Sequence, residues 1–261
     1  MDLAIEGALA VVTGAGRGIG LAVTTALIDH GARVVAGSRS TTEGLRALVG
    51  TGRLHAVEVD LSTPEGAREL ATAAEDFGPA DILVNNVGAV TPRLDGFLSI
   101  TDEQWLSTLT LDLMAAVRTT RAVLPAMLAA HRGAIVTVSS VNATLPDPGV
   151  MDYSAAKAAL TNFCKALSKE VGPQGIRVNT VSPGPVATDL WLGTGGVAAT
   201  VAASTGGSAS SVADSVAAQS VTGRFTRPDE IADLVLFLAS PRAANITGTD
   251  VVIDGGLITT T

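Results

Sequence analysis

Short apolar runs alternating with longer helical stretches recur along the whole 261-residue chain. The runs are Ala8–Val12, Arg33–Ala36, Leu54–Val59, Ile82–Val84, Ala134–Val138, Arg177–Val181 and Asp250–Ile253. Most are continuously apolar, the pattern of strands covered on both faces. Between them lie helical patterns at Gly18–Asp29, Thr42–Val49, Pro64–Phe77, Asp102–Ala130, Ser154–Val171 and Asp229–Ala239. Strand–helix alternation of this kind predicts an α/β, doubly wound parallel sheet of about seven strands with helices on both faces. The chain length suits one such domain over residues 1–261.

Boundary signals agree. His30-Gly31 puts a glycine where the first helix ends, and Ser62-Thr63-Pro64 and Thr226-Arg227-Pro228 put proline at helix starts. One stretch breaks the rhythm. From Gly193 to Ser220 the chain is almost wholly Ala, Gly, Ser, Thr and Val. It falls before the seventh predicted strand, so a substrate lid over residues 189–224 is expected rather than a domain boundary.

Thr13-Gly14-Ala15-Gly16-Arg17-Gly18-Ile19-Gly20 joins the first strand to the first helix. In G-x-G-x-x-G the third glycine would fall at Ile19. The pattern that fits is G-x-x-x-G-x-G, at Gly14, Gly18 and Gly20. Gly14 permits a tight turn off the strand. Gly18 lets a pyrophosphate approach the helix N-terminus, where free N–H groups attract anions, and Gly20 lets helix and strand pack closely. Ser38 and Arg39 follow the second strand, where an NAD site would offer a carboxylate to the ribose 2′-OH. A guanidinium there pairs with a 2′-phosphate through two hydrogen bonds, and Arg17 adds a second cation, so NADP(H) is the expected cofactor.

The fifth strand leads into Tyr153 and Lys157, four residues apart and therefore on one helical face. A phenol with an ordinary pKa of about 10 is a poor proton carrier at neutral pH, and a nearby ammonium lowers that value. The pair suits general acid–base catalysis. Ser140, at the strand's end, is able to bond a carbonyl oxygen.

With these pieces in place, the chain resembles the short-chain dehydrogenase/reductase family over nearly its whole length. The resemblance rests on Thr13-Gly14-x-x-x-Gly18-Ile19-Gly20, Asp60, Asn85-Asn86-Val87-Gly88, Ser140, Tyr153-x-x-x-Lys157, Pro183-Gly184 with Thr188, and the terminal TGTDVVIDGG. It implies a Rossmann-type fold in which Asp60 bonds the adenine amino group and Asn86 and Gly88 line the adenosine side. Val186 and Thr188 would hold the nicotinamide carboxamide, and Lys157 the nicotinamide ribose. Tyr153 would exchange a proton with the substrate oxygen that Ser140 orients. The expected cofactor contacts are Gly14, Gly16, Arg17, Gly18, Ile19, Gly20, Ser38, Arg39, Asp60, Leu61, Asn86, Val87, Gly88, Tyr153, Lys157, Pro183, Gly184, Val186 and Thr188. Ser140 and Trp191 are expected at the substrate.

Two positions depart from the family. Val87 replaces an alanine, and Asp112 stands where an asparagine helps hold a relay water near the lysine. An ionised aspartate cannot donate, so Asp112 is a catalytic candidate whose relay role is open. The resemblance also implies a homo-oligomer, tetramer or dimer, built on the helices around Asp102–Ala130 and Ser154–Val171 and on the last strand.

The remaining expectations are largely exclusions. A net charge of −8 argues against a nucleic-acid partner. No uninterrupted apolar run approaches the ~20 residues of a membrane span, and the acidic start lacks signal-peptide order, so a cytoplasmic chain is expected. The only cysteine, Cys164, forms no internal disulfide and reads as a buried hydrophobe. His30, His55 and His131 lack metal-ligand spacing. Between Arg177 and Arg224 there is no lysine or arginine, and the only charges between them are Asp189 and Asp214. This predicts a small neutral, largely apolar ketone or alcohol as substrate, with Arg93, Arg118 and Arg121 as cations from elsewhere that would alter the picture. The alternatives are a 3-oxoacyl thioester reductase and a catalytically silent NADP-sensing regulator or scaffold.

Overall fold

The computed structural model describes residues 2–260; Met1 and Thr261, included in the expected domain, lie outside the described residues. Seven parallel strands form one sheet in the order β3-β2-β1-β4-β5-β6-β7. They are β1 (Leu9–Thr13), β2 (Arg33–Ser38), β3 (Leu54–Glu58), β4 (Ile82–Asn85), β5 (Gly133–Val138), β6 (Ile176–Pro183) and β7 (Asp250–Ile253). All seven expected strands are present. Along β1 the side chains alternate between two cores. Ala10 and Val12 join Val23, Leu27, Ile231 and Val235 on one face. Leu9 and Val11 join Leu70, Met127, Leu160 and Val178 on the other. Burial on both faces is why the strands read as apolar runs instead of alternating ones.

The first core packs α1 (Gly18–Asp29) and the helix after the lid stretch, Pro228–Ala239, against the sheet. α2 (Glu43–Val49) and α3 (Pro64–Glu75) open on threonine caps: Thr42 Oγ1 accepts from Leu45 N at 3.4 Å and Thr63 Oγ1 from Gly66 N at 3.0 Å. α1 ends at His30 and the left-handed Gly31, as expected. α6 (Met151–Val171) starts three residues earlier than the sequence indicated.

The expected helix Asp102–Ala130 is two helices, α4 (Asp102–Leu109) and α5 (Ala115–Ala130), joined by a widened turn at Thr110–Met114. There the Ala115 N–H reaches back five residues to Thr110 O. Such π turns concentrate at functional positions, and this one carries the buried Asp112. By length and composition Asp102–Ala130 is apolar enough to cross a membrane. In this fold α5 buries Ala116, Val123 and Met127 against the sheet side that also receives α3 and α6.

The lid stretch is helical: α7 (Asp189–Leu192), α8 (Val197–Thr205) and α9 (Ala209–Ala217). Its base is pinned by backbone, Thr226 N to Pro185 O at 2.9 Å and Ala187 N to Thr226 O at 2.8 Å. α10 (Pro228–Ala239) follows. The strand order reverses between β1 and β4, and ligands of doubly wound sheets bind beyond the strand C-termini at that point.

Candidate active site

A cleft of about 1420 Å³ opens at that edge, lined by loops following β1 to β6 and by the faces of α6, α8 and α9. Every expected site residue lines it except Gly20 and Asp112, which stand one layer behind. A shallower hollow by Glu6, His30 and Arg53 lies among segments preceding strands, at the opposite edge.

One end of the cleft is made from backbone. Gly14 has φ +63° and a side chain there would meet Asn86 Nδ2 at 2.9 Å. A side chain at Gly20 would strike the Gly14 carbonyl, so the close helix–strand approach requires that glycine. Asn86 does more than line this end: its Nδ2 donates to Thr13 O at 3.1 Å and Gly14 O at 3.2 Å, tying β4 to the glycine turn. Unlike α2 and α3, α1 has no side-chain cap, its N-cap being Arg17. Its leading N–H groups are therefore available to an external anion, and the pyrophosphate of a dinucleotide fits this cradle. Thr42 Oγ1 steadies the turn by donating to Gly16 O at 2.7 Å. Ser38, Arg39, Asp60 and Leu61 complete this end. Among the described residues neither Arg17 nor Arg39 makes a salt bridge, so both keep their charge for a ligand. Ser62 N donates to Asp60 Oδ1 at 2.9 Å, and bonding from Ser62 holds the Asp60 carboxyl below its ordinary range.

At the centre, α6 presents Tyr153 and Lys157. Lys157 Nζ lies 5.6 Å from the centroid of the Tyr153 ring and donates to Val138 O at 3.3 Å. Burial raises the Tyr153 phenol above its ordinary value, the Lys157 ammonium and a hydrogen bond from Ser140 pull it down, and Asp112 pushes it up. Asp112 Oδ1 accepts from Ala89 N at 3.1 Å and stands 3.7 Å from Lys157 Nζ. Burial lifts its carboxyl to about 6 despite that ammonium. Gly88 makes the arrangement possible, since a side chain there would lie 2.7 Å from Asp112 Oδ1.

The other end is made from side chains. Trp191 lines it and stacks edge-on against Phe225, with centroids 5.6 Å apart. Val197, Val201, Val212 and Val216 face it from α8 and α9. Its charges are Glu103, Asp147 and Asp189; among the described residues the cations lining the cleft are Arg17, Arg39 and Lys157. Neither Arg93 nor Arg118 brings a free cation to the mouth. Arg93 pairs with buried Asp152 at 2.7 Å and Arg118 donates to Ser62 O at 2.5 Å, so both are spent on structure. Arg121 does not line the cleft.

Sequence reasoning overlooked the Arg93 pair. Asp152 Oδ2 accepts from Arg93 and from Thr108 Oγ1 at 2.8 Å, while Oδ1 accepts from Tyr153 N at 3.0 Å. It thus ties α4 and the loop after β4 to the first turn of α6, next to Tyr153. An acidic residue in a first helical turn was the only signal, and it looks like dipole stabilisation.

A family model described as enoyl-(acyl carrier protein) reductase matches residues 14–258. The chain is 37% identical to 3-oxoacyl-[acyl-carrier-protein] reductase of Escherichia coli, over 97% of this chain and 98% of that one. It is 38% identical to D-threitol dehydrogenase of Mycolicibacterium smegmatis, over 98% and 94% respectively. Among solved structures it superposes on L-sorbose reductase of Gluconobacter frateurii, complexed with NADPH and L-sorbose, with a TM-score of 0.92 at 36% identity over both whole chains. The chain belongs to the short-chain dehydrogenase/reductase family. In this dehydrogenase/reductase, Ser140 from the loop after β5 and Tyr153 and Lys157 from α6 come together at the centre of the cleft.

Proposed function

We propose that this enzyme interconverts a small neutral, largely apolar ketone and its alcohol, with the backbone-built end of the cleft holding the cofactor and the side-chain end the substrate. It is an oxidoreductase acting between C=O and CH–OH with NADP(H). The observation that carries the reading is the position of Tyr153, Lys157 and Ser140 between a cation-bearing half-cleft and a half-cleft whose only charges are carboxylates. An anion buried without a cation is costly, and the substrate end offers none. The sugar and polyol named for the sorbose and threitol enzymes are neutral too.

When bound, NADPH would supply the hydride. Arg39, with Arg17, would pair with its 2′-phosphate, and the uncapped start of α1 would receive the pyrophosphate. Asp60, Leu61, Asn86, Val87 and Gly88 would border the adenosine, while Pro183, Gly184, Val186 and Thr188 would border the nicotinamide. Ser140 donates a hydrogen bond to the carbonyl oxygen and so orients it. Tyr153 gives its phenolic proton to that oxygen as negative charge develops. Lys157 stabilises the resulting phenolate and bonds the ribose. Residues 189–224 act as a lid hinged on the pinned base at Pro185–Thr226, excluding water. The protein works as a cytoplasmic homo-oligomer, which would cover the exposed Leu106 of α4 and Val252 of β7.

The 3-oxoacyl thioester reductase reading is favoured by the relative from E. coli. The deciding experiment is NADPH oxidation with neutral ketones, a matched anionic ketone and a 3-oxoacyl thioester. Fastest turnover of the thioester selects the second reading, and silence with all substrates despite measured NADPH binding leaves a regulator.

A further inference from the structure

The residue two places after Ser140 engages it twice. Asn142 N donates to Ser140 Oγ at 3.1 Å, and Ser140 Oγ donates to Asn142 Oδ1 at 3.2 Å. The orientation of the carboxamide is dictated by its other end, where Nδ2 donates to Leu145 O at 3.3 Å. A flipped amide would set its oxygen against that carbonyl oxygen, acceptor against acceptor. The amide oxygen is thus held beside the serine. Asn142 is partly exposed and lines the cleft with Ser140 and Tyr153.

Ser140 has a single proton; while Tyr153 is protonated it goes to Asn142 Oδ1, and it turns to the Tyr153 oxygen only as phenolate forms. When Ser140 donates instead to a reacting carbonyl oxygen, Oδ1 loses its donor, and an acceptor stripped of its partner in a cleft wall is costly. A donor on the substrate itself restores the bond. The two protein oxygens are 3.2 Å apart, close to the spacing of oxygens on adjacent carbons. Glu103, Asp147 and Asp189 add further acceptors at this end of the cleft, none of which donates when ionised. We propose that Asn142 is a specificity-determining residue that accepts the hydroxyl on the carbon next to the reacting carbonyl. The preferred substrate is then an α-hydroxy ketone, or a vicinal diol in the reverse direction, with the rest of its chain against Trp191 and the lid valines. The inference rests on the assignment of this enzyme as an NADP(H)-dependent ketone reductase.

The test compares acetoin with methyl isopropyl ketone, in which a methyl replaces the hydroxyl at nearly constant shape. NADPH oxidation gives kcat/KM for each ketone with the wild type, Asn142→Ala and Asn142→Leu. The hydroxyl also makes the carbonyl more electrophilic, so the decisive quantity is the change in the ratio between proteins. The ratio should favour acetoin by about tenfold or more in the wild type and fall about tenfold in both variants. An NADPH dissociation constant close to the wild-type value verifies that the variants are folded. A ratio that stays within about threefold of wild type in both folded variants overturns the role of Asn142 and leaves the reductase assignment standing. Turnover of neither ketone by the wild type overturns the assignment itself, and this inference with it.

Discussion

The two ends of the cleft are built on different principles. The cofactor end consists of main chain brought close by glycines, with an uncapped helix start and two unpaired arginines. Almost nothing there can change size, because a side chain at Gly14, Gly18 or Gly20 meets Asn86, Thr188 or the Gly14 carbonyl. The substrate end consists of side chains carried on three short helices that are tied down at one base. Its valines lie on α8 and α9, outside the two cores that flank the sheet. On the proposed reading, affinity for the cofactor belongs to the rigid end and selectivity to the other, with Tyr153 and Lys157 at the join between them.

The largest effect is expected at the join. Tyr153→Phe removes the proton donor and keeps the ring, so turnover should fall by about 10²–10⁴ or more with NADPH affinity nearly unchanged. Lys157→Ala should damage turnover and cofactor affinity together. Steady-state kinetics with NADPH titration separates the two, and full activity in Tyr153→Phe would break the division at its centre. Next comes the cofactor end. Arg39→Asp replaces a charge-assisted contact with repulsion and should cost roughly 10²-fold in kcat/KM for NADPH while sparing NADH. A variant that keeps the wild-type NADPH preference would make Arg39 a surface charge.

A smaller effect belongs to the substrate end. A neutral ketone should exceed an anionic one of equal size by about tenfold in kcat/KM, since no cation awaits the anion. Trp191→Ala should lower the value for the neutral ketone and leave NADPH affinity alone. Preference for the anion would contradict the contrast between the two ends.

The smallest effect concerns Asp112, behind the join. Its carboxyl sits at about 6, above the ordinary 3.8, so the fold favours the protonated form. The associated stability is present below the unfolded value and is lost as pH rises through about 6. Asp112→Asn should therefore raise the melting temperature at neutral pH, with the gain shrinking between pH 6 and 4. It also removes a charge that pushes the Tyr153 phenol upward, so the activity profile should move to lower pH with little change at its plateau. Thermal scans and pH–rate profiles check both, and an inactive Asp112→Asn would show that the carboxylate acts in its own right.

The sheet was legible because its signal is local. Runs such as Leu9-Ala10-Val11-Val12 are apolar on both faces, and caps at Thr42 and Thr63 or prolines at Pro64 and Pro228 mark the helices between them. The glycine turn was legible for the same reason: three positions within seven residues each need the absence of a side chain. The split of Asp102–Ala130 left no comparable trace, since one extra residue in a turn leaves the apolar pattern nearly intact.

The sequence by itself determined the strand–helix alternation, the glycine turn, the pairing of Tyr153 with Lys157 on one helical face and the absence of cations between Arg177 and Arg224. Each depends on residues near one another along the chain, where propensity and periodicity act. Only the tertiary structure decided the rest. It spends Arg93 on Asp152, carries Asp112 to Lys157 through the widened turn and past Gly88, and holds the Asn142 amide against Ser140 by way of Leu145 O. The first two are long-range charge pairings, and the last depends on the loop conformation after β5. The charge pairings are fixed when packing brings distant segments together and buried polar groups must find partners, and the loop conformation by the turn the chain makes off the sheet, requirements that no apolar pattern records.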